Sequence, residues 1–535
     1  MKSHFHNILR SFGVLLILIW EALGQTQSII LNPDQFQEVS IPGRQFVSIT
    51  VSGSSSTGYS LVQAHVVGVN VTISFTSTPT VGQSVKGSSV GLVLNGTEKS
   101  DVFVINDNDL ELNVLLLLQT YDDSAPIPGG CNMEEPVKTA PYLPTSFTPN
   151  LVVVEYPLGS WPLNVKPATC DRAPLQYDIY IYYLPERDFS VRTAFDSIRL
   201  MSNVTSVEKY GTKVEFNGLP PSKLKFANYV GTGRIVAVVL RSLTASAAYV
   251  PTLSFGCSTD LEDFEAGCSV LGSTGSKLLS AWLVFAGFFL LSLGHRWYKC
   301  QLFLFGFLAS AVLSYVILML SVDMESSGAG TIGTVVGAVG GAAWVIIWAK
   351  CGTPIGPVFL ASFILGSLFA SIVSFTPLAD FGVMKDDLTF WLAYFCLVLA
   401  VPLAIVSFDK LTSIVVSCVV GAYVFTAPVD HYIGGNLKYI FLNVMRRATD
   451  SEFSTAIIQP PYQILDLILT TTWAVLALAG LAFQLWREKN RVPFPPTPST
   501  WPTNDAGDSR LTYEPTAPVL VTTIPIPSER TPLLS

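Results

Sequence analysis

QLFLFGFLASAVLSYVILML, residues Gln301–Leu320, contains no charged side chain. As an α-helix it rises about 1.5 Å per residue and so reaches ~30 Å, the thickness of a bilayer's hydrocarbon core. The fold class turns on this reading, and six further apolar segments approach or reach that length, Lys277–Leu293 and Leu411–Val429 being the shortest of the seven: Lys277–Leu293, Gly330–Ala349, Ile355–Thr376, Leu388–Phe408, Leu411–Val429 and Leu467–Trp486. Together they predict an all-α seven-helix transmembrane bundle over 277–486. The composition of the 535-residue chain agrees, with 50% hydrophobic and only 13% charged residues and a mean hydropathy of +0.46. Soluble chains normally carry about twice that share of charge.

The connections predict the orientation. Arg296 and Lys299 follow the first segment, Lys350 the third, Lys410 the fifth, and Arg487, Lys489 and Arg491 the seventh. The second link has Asp323 and Glu325, and the fourth has Asp380, Asp386 and Asp387 against Lys385 alone. Basic residues mark the cytosolic side, which places the tail inside and the N-terminus outside or in a lumen. The N-terminus gives the same answer independently. Lys2 and Arg10, the apolar run Phe12 to Trp20 and then Ala22-Leu23-Gly24 form a signal peptide over 1–24, too short to span comfortably.

Three acceptor triplets for N-glycosylation, beginning at Asn70, Asn95 and Asn203, all precede the first apolar segment, as a translocated ectodomain requires. Cys131, Cys170, Cys257 and Cys268 lie in the same region, an even number that predicts two disulfides. Three pairings are open. Proximity favours Cys257 with Cys268, leaving Cys131 with Cys170. Cys300, Cys351, Cys396 and Cys418 sit in or beside apolar segments and read as packing residues.

Between the signal and the bundle the pattern is short and alternating, rich in β-branched and aromatic residues. Examples are Phe46 to Val51, His65 to Phe75, Leu151 to Tyr156, Tyr177 to Tyr183 and Arg234 to Leu240. A single short helix fits Phe189 to Met201. The Pro-rich stretch 126–149 divides the region into two sandwich-like modules, 25–125 and 126–272, with one larger sandwich as the alternative. The fold class is therefore a β-rich ectodomain followed by a seven-helix bundle.

Two features of the bundle invite a role. Gly333, Gly337 and Gly341 recur one per turn on one face, a spacing that lets another helix approach closely; intramolecular packing is the ordinary use. In the long sixth link, 430–466, Leu437, Ile440, Phe441 and Val444 repeat at helical spacing beside Arg446 and Arg447. A cap on the bundle is favoured over a ligand-contact element.

Catalytic patterns are missing from the sequence. After the signal only His65, His295 and His431 remain, far apart, and Asp409, Asp430 and Asp466 stand at segment ends, where water is expected to reach them. No Gly-x-Ser-x-Gly elbow or phosphate loop occurs, so the chain is expected to be non-enzymatic and without a cofactor or metal. A net charge of −8 argues against a nucleic-acid partner. The tail, 487–535, is Pro-, Ser- and Thr-rich and is expected to remain disordered. It ends Glu529-Arg530-Thr531-Pro532-Leu533-Leu534-Ser535. Glu529 four places before Leu533-Leu534 resembles the acidic dileucine sorting signal read by clathrin adaptors.

The chain also resembles the transmembrane seven superfamily member three family. The likeness rests on Pro128-Gly129-Gly130-Cys131-Asn132, Leu175-Gln176-Tyr177-Asp178, Tyr183-Leu184-Pro185-Glu186 and Ser246-Ala247-Ala248-Tyr249-Val250-Pro251. Gly294-His295-Arg296, Phe375-Thr376-Pro377-Leu378 and Glu529 to Leu534 continue it. Before about Asp122 the chain is less alike. The resemblance implies a multi-pass membrane glycoprotein linked to cell survival and to restraint of endoplasmic-reticulum stress. With the bilayer around its bundle and an unknown protein partner on its ectodomain, it is expected at the plasma membrane or in endosomes and lysosomes. The alternatives are an orphan seven-helix receptor, disfavoured by the minimal Asp409-Lys410 link, and an endolysosomal small-solute transporter.

Overall fold

A computed structural model describes residues 28–489 apart from 52–57, 96–99, 133–138, 164–169, 171–174, 217–219, 258–267, 269–273, 323, 325, 353–354 and 406. The predicted signal peptide and the Glu529, Leu533 and Leu534 tail motif lie outside the described residues, as does the side chain of Asn95.

The first module is a sandwich of two sheets. One has the order β1(Ser28–Leu31)-β3(Phe46–Val51)-β8(Ser100–Ile105)-β5(Val71–Ser74)-β6(Ser84–Gly87), with β1 parallel to β3. The other runs β2(Phe36–Ile41)-β9(Leu112–Tyr121)-β4(Tyr59–His65)-β7(Ser89–Asn95). Period-two alternation sends Val47, Ile49 and Val51 inward from β3 and Val114, Leu116 and Leu118 inward from β9. The second module pairs β10(Thr145–Phe147)-β11(Leu151–Glu155)-β14(Lys223–Ala227) with β13(Thr212–Val214)-β12(Gln176–Tyr183)-β15(Arg234–Arg241)-β16(Ser246–Ala248). β17(Thr252–Ser254) also pairs with β15.

Two short helices, α1(Val191–Leu200) and α2(Val204–Tyr210), cover the outer face of the β12–β15 sheet. Only the first of these is legible as a helix from sequence. Phe195 and Ile198 of α1 meet Ile235 and Val239 below them and Leu115 of the first module beside them. The outer face of β4 and β9 is thereby buried between the modules. Its polar residues form one chain of hydrogen bonds: Gln119 donates to the Ser202 carbonyl at 2.6 Å, Gln63 donates to Gln119 at 2.7 Å, and His65 Nε2 lies 3.0 Å from Gln63. Val250 and Tyr142 of the second module enter the core of the first. The Cys131–Cys170 disulfide ties the join between modules (Cα atoms 5.6 Å apart), and Cys257–Cys268 precedes the first long helix.

Among the described residues seven helices are long and apolar enough to cross a membrane: α3(Thr274–Leu293), α4(Tyr298–Ser321), α5(Ser326–Cys351), α6(Ile355–Ser374), α7(Asp387–Ile405), α8(Asp409–Ile433) and α10(Ile464–Arg487). An eighth helix of this region, α9(Tyr439–Thr449), is short and amphipathic. α8 is the most enclosed and forms the axis of the bundle. Small residues set the close crossings. A Cβ on Gly287 of α3 would meet the Phe425 backbone of α8 at 2.4 Å, and one on Gly366 of α6 the Val398 carbonyl of α7 at 2.2 Å. Gly333, Gly337 and Gly341 all face α4, where a Cβ on Gly341 would stand 2.6 Å from the Phe303 carbonyl. Buried amides add to the packing: Gln484 of α10 donates to the Leu290 and Leu291 carbonyls of α3, and Gln301 of α4 donates to Ser413 of α8.

Two predictions follow from this packing. Gly341→Leu should destabilise the bundle by about 1–3 kcal/mol through overpacking, while Gly330→Leu, with nothing within 4 Å of its Cβ position, should be neutral. Thermal unfolding of the detergent-solubilised chain distinguishes them. The second concerns His65, whose complete burial lowers its pKa from 6.5 to about 3. The unfolded chain takes up a proton below about pH 6.5 that the folded chain refuses. Stability present above that pH is therefore lost as pH falls, by about 2 kcal/mol at pH 5. A thermal-midpoint series from pH 7.5 to 5.0 should show a steeper decline for wild type than for His65→Gln.

Candidate functional site at the junction of the β-region and the bundle

The link between α8 and α10 leaves the bundle and completes the second sandwich. Ile457 accepts a backbone hydrogen bond from Ala227 at 2.9 Å and donates one to Lys225 at 2.8 Å, which makes it an extra strand residue beside β14. Alternation then divides this segment between two cores. The Ile457 side chain enters the sandwich among Val152, Phe226 and Val238, whereas Ala456 and Ile458 face Tyr229, Tyr439 and Phe453 outside it. An extended segment added to an exposed sheet edge is how strand-addition recognition works, here within one chain.

Tyrosines fix the segment on either side. Tyr183 donates to the Gln459 carbonyl at 2.6 Å and Tyr229 to the Ile458 carbonyl at 2.7 Å. Burial raises the pKa of the Tyr229 hydroxyl far above its ordinary value, so it remains a donor at any physiological pH. Behind both rings lies Arg234, 4% exposed, with its guanidinium 5.2 Å from Tyr183, 5.1 Å from Phe226 and 5.7 Å from Tyr229. It donates from Nη2 to the Ala227 carbonyl, while its buried Nε and Nη1 have no hydrogen-bond partner among the described residues. The charge is held by aromatic faces and a backbone oxygen.

α9 is the bracket between the halves. On one side Arg446 donates to the Asn228 and Pro149 carbonyls, and Tyr439 packs edge-on to Tyr229 with its hydroxyl accepting from Val230. On the other, Arg447 stacks over Phe390 at 3.8 Å and donates to Asp387 and the Met384 carbonyl. Leu437 and Ile440 pack on Leu469, and Val444 on Phe390 and Tyr394, so the apolar periodicity seats the helix on the bundle. Lys225–Glu452 and Asn150–Asp450 close the outer rim.

The α8 and α10 ends carry buried acids where the sequence predicts water-exposed ones. Asp430 is fully buried and accepts from the Leu437 and Lys438 amides, with Lys438 Nζ 3.4 Å away. Asp466 accepts from Asn436 and closes a capping box with Gln463. Gly434, at φ 88°, ends α8 in the left-handed conformation that starts this turn. From the β-region Glu186 reaches down to accept from the Leu465 amide at 3.0 Å, at the positive end of α10. Burial, with Asp466 and Asp430 nearby, raises its pKa above the usual carboxylate value. Arg187 donates to the Ile433 carbonyl at the end of α8.

Other residues singled out from sequence lie elsewhere. Asn70 is exposed on the turn between β4 and β5. Asn203 is exposed and caps α2, its side-chain oxygen accepting from Thr205. Asn95 ends β7. No group of three metal-ligating side chains occurs among the described residues. The junction therefore offers positioning and coupling, built from backbone pairing, tyrosines and arginines.

Two immunoglobulin-like β-modules followed by seven spans define a multi-pass membrane protein. Three family models match in the same order: a TM7SF3-like N-terminal immunoglobulin-like domain over 27–121, a TM7SF3-like second immunoglobulin-like domain over 126–260, and a TM7S3/TM198-like domain over 280–485. Transmembrane 7 superfamily member 3 of Mus musculus is 30% identical over 508 residues, covering 90% of each chain. The Homo sapiens protein of that name is 29% identical over 460 residues, covering 83% of this chain and 80% of its own. The chain belongs to the Transmembrane 7 superfamily member 3 family. Among solved structures, the pre-peptidase C-terminal domain of a Bacillus anthracis collagenase matches 18% of this chain and 97% of its own, at 10% identity and a TM-score of 0.16.

Ile457→Pro removes the amide that bonds Lys225 and should release the segment. Hydrogen exchange on the full-length protein should then speed up at Ala227, with the helix amides of α4 unchanged. An unchanged rate at Ala227 would mean that the pairing contributes nothing.

Proposed function

We propose that this protein is a non-enzymatic membrane glycoprotein whose β-region, outside the cell or in a lumen, binds a protein partner and whose junction passes that event to the helices. The observation carrying this reading is Ile457, which the link between α8 and α10 adds beside β14 and into the core of the second module. A domain merely tethered to a membrane needs no such segment; one that must move as a unit with the α8–α10 ends does. The buried Gln301, Ser413, Ser417 and Gln484 satisfy one another and nearby carbonyls, which favours an anchoring and relaying bundle over a solute path. Support for cell survival and protein homeostasis under endoplasmic-reticulum stress is the role proposed from family membership. The tail motif Glu529, Leu533 and Leu534, on the cytosolic side, engages clathrin adaptors and directs traffic to endosomes and lysosomes.

The test uses full-length chains in cells lacking their own copy, stressed by depletion of endoplasmic-reticulum calcium. Wild type should restore survival. An Ile457→Pro chain, matched in amount and location, should not. Equal rescue by both would sink the relay, and no rescue by wild type would sink the stress role. Leu533→Ala/Leu534→Ala should accumulate at the surface if the tail is an address.

A further inference from the structure

A cleft opens between the two β-modules on the face bearing Asn70. It comprises two adjoining hollows of about 450 and 560 Å³, within the ~300–1,000 Å³ range of small-molecule sites. The first module supplies Val67, Lys86 and Ser88, and the second supplies Thr145, Phe147 and Leu253. Asn70 lines both hollows. Its position is fixed, because Asn108 donates to the Asn70 carbonyl at 3.0 Å and Thr72 donates to Asp107 at 2.8 Å.

We propose that the first sugars of an N-linked glycan on Asn70 occupy this cleft and brace the two modules. The inference rests on the β-region being lumenal, as proposed above. Attachment forms a bond from Asn70 Nδ2 to the anomeric carbon of a lipid-diphosphate-linked oligosaccharide. The bond from that carbon to the diphosphate breaks, the diphosphate leaves with the electron pair, and the amide loses one proton. The lining matches a pyranose, which has hydroxyl edges and an apolar C–H face. Thr145, Ser88 and Lys86 present donors and acceptors, while Phe147 presents an aromatic ring that is 44% exposed on the short edge strand β10. Covalent attachment at the rim makes this occupant intramolecular, with a high effective concentration that no free ligand of equal affinity matches. Asn203 provides the contrast. It lines neither hollow, and its Nδ2 is free of the cap made by its oxygen.

The experiment takes the full-length protein from secretory-competent cells in mild detergent and follows native N-glycosidase release site by site by mass spectrometry. Release at Asn70 should be at least about tenfold slower than at Asn203. Phe147→Ala should bring the two rates together, and Asn70→Gln should lower the thermal midpoint while Asn203→Gln leaves it in place. Equal release rates in wild type, or a glycan on Asn203 with none on Asn70, would overturn the cleft proposal alone. Glycans on neither site would overturn the lumenal placement as well.

Discussion

The backbone pairing of Ile457 with β14 is the constraint on which the rest of this molecule depends. Through it a residue from the last link of the bundle sits in the core of an immunoglobulin-like module, among side chains from both of its sheets. Everything around the segment keeps that residue in register. Tyr183 and Tyr229 hold the following carbonyls, Arg234 lies against their rings, and α9 presses from the bundle side. A one-residue slip would put Ile458 into the sandwich and Ile457 against Tyr439, which shows why several independent hydrogen bonds converge on so short a stretch.

The same economy governs the ends of α8 and α10. Asp430 and Asp466 are desolvated, a costly placement for carboxylates, and each is met by backbone amides from the turn 434–438. They act as internal caps that fix the turn leading into α9. α9 in turn presents Tyr439 and Arg446 upward, and Glu186 and Arg187 come down to the ends of α10 and α8. The chain of fixed parts is continuous from the interior of the bundle to the core of the second module, and from there, through Leu115, Gln119 and α1, to the first.

Much of this architecture was legible in the sequence. Period-two alternation identified β3, β11, β12 and β15, because each has one or both faces in a dry core. Apolar runs, charge-free except for Lys277 at the start of the first, identified all seven spans. Most of the helices extend past those runs, as α8 does from Leu411–Val429 to Asp409–Ile433, because the hydrophobic count ends where polar residues begin while hydrogen bonding continues, whereas α6 and α7 end two and three residues before theirs, at Ser374 and Ile405. Other features gave no local signal. Gly287 and Gly421 are single glycines without a repeat, and only the crossing of α3 and α8 gives them meaning. Asp430 and Asp466 read as solvated ends because Gly434-Gly435-Asn436 marks a turn without indicating that its amides fold back onto these carboxylates. Ile457-Ile458, followed by Gln459-Pro460-Pro461, is too short to register as a strand, and its pairing partner is far away in sequence.

That distance has a consequence for assembly. Tyr229 and Ile458 are 229 positions apart, so the second sandwich lacks part of its core until nearly the whole bundle has been made. The entropy of closing so long a loop grows only logarithmically with its length, and the intervening helices shorten the effective loop once α3 to α8 have packed. Completion of the module thus needs the link after α8 to have been made and brought against β14. A bundle with a misplaced α8 or α10 leaves Ile457 short of β14, with Val152, Phe226 and Val238 facing a hole. The core of the second module is therefore complete only when the link between α8 and α10 lies against β14.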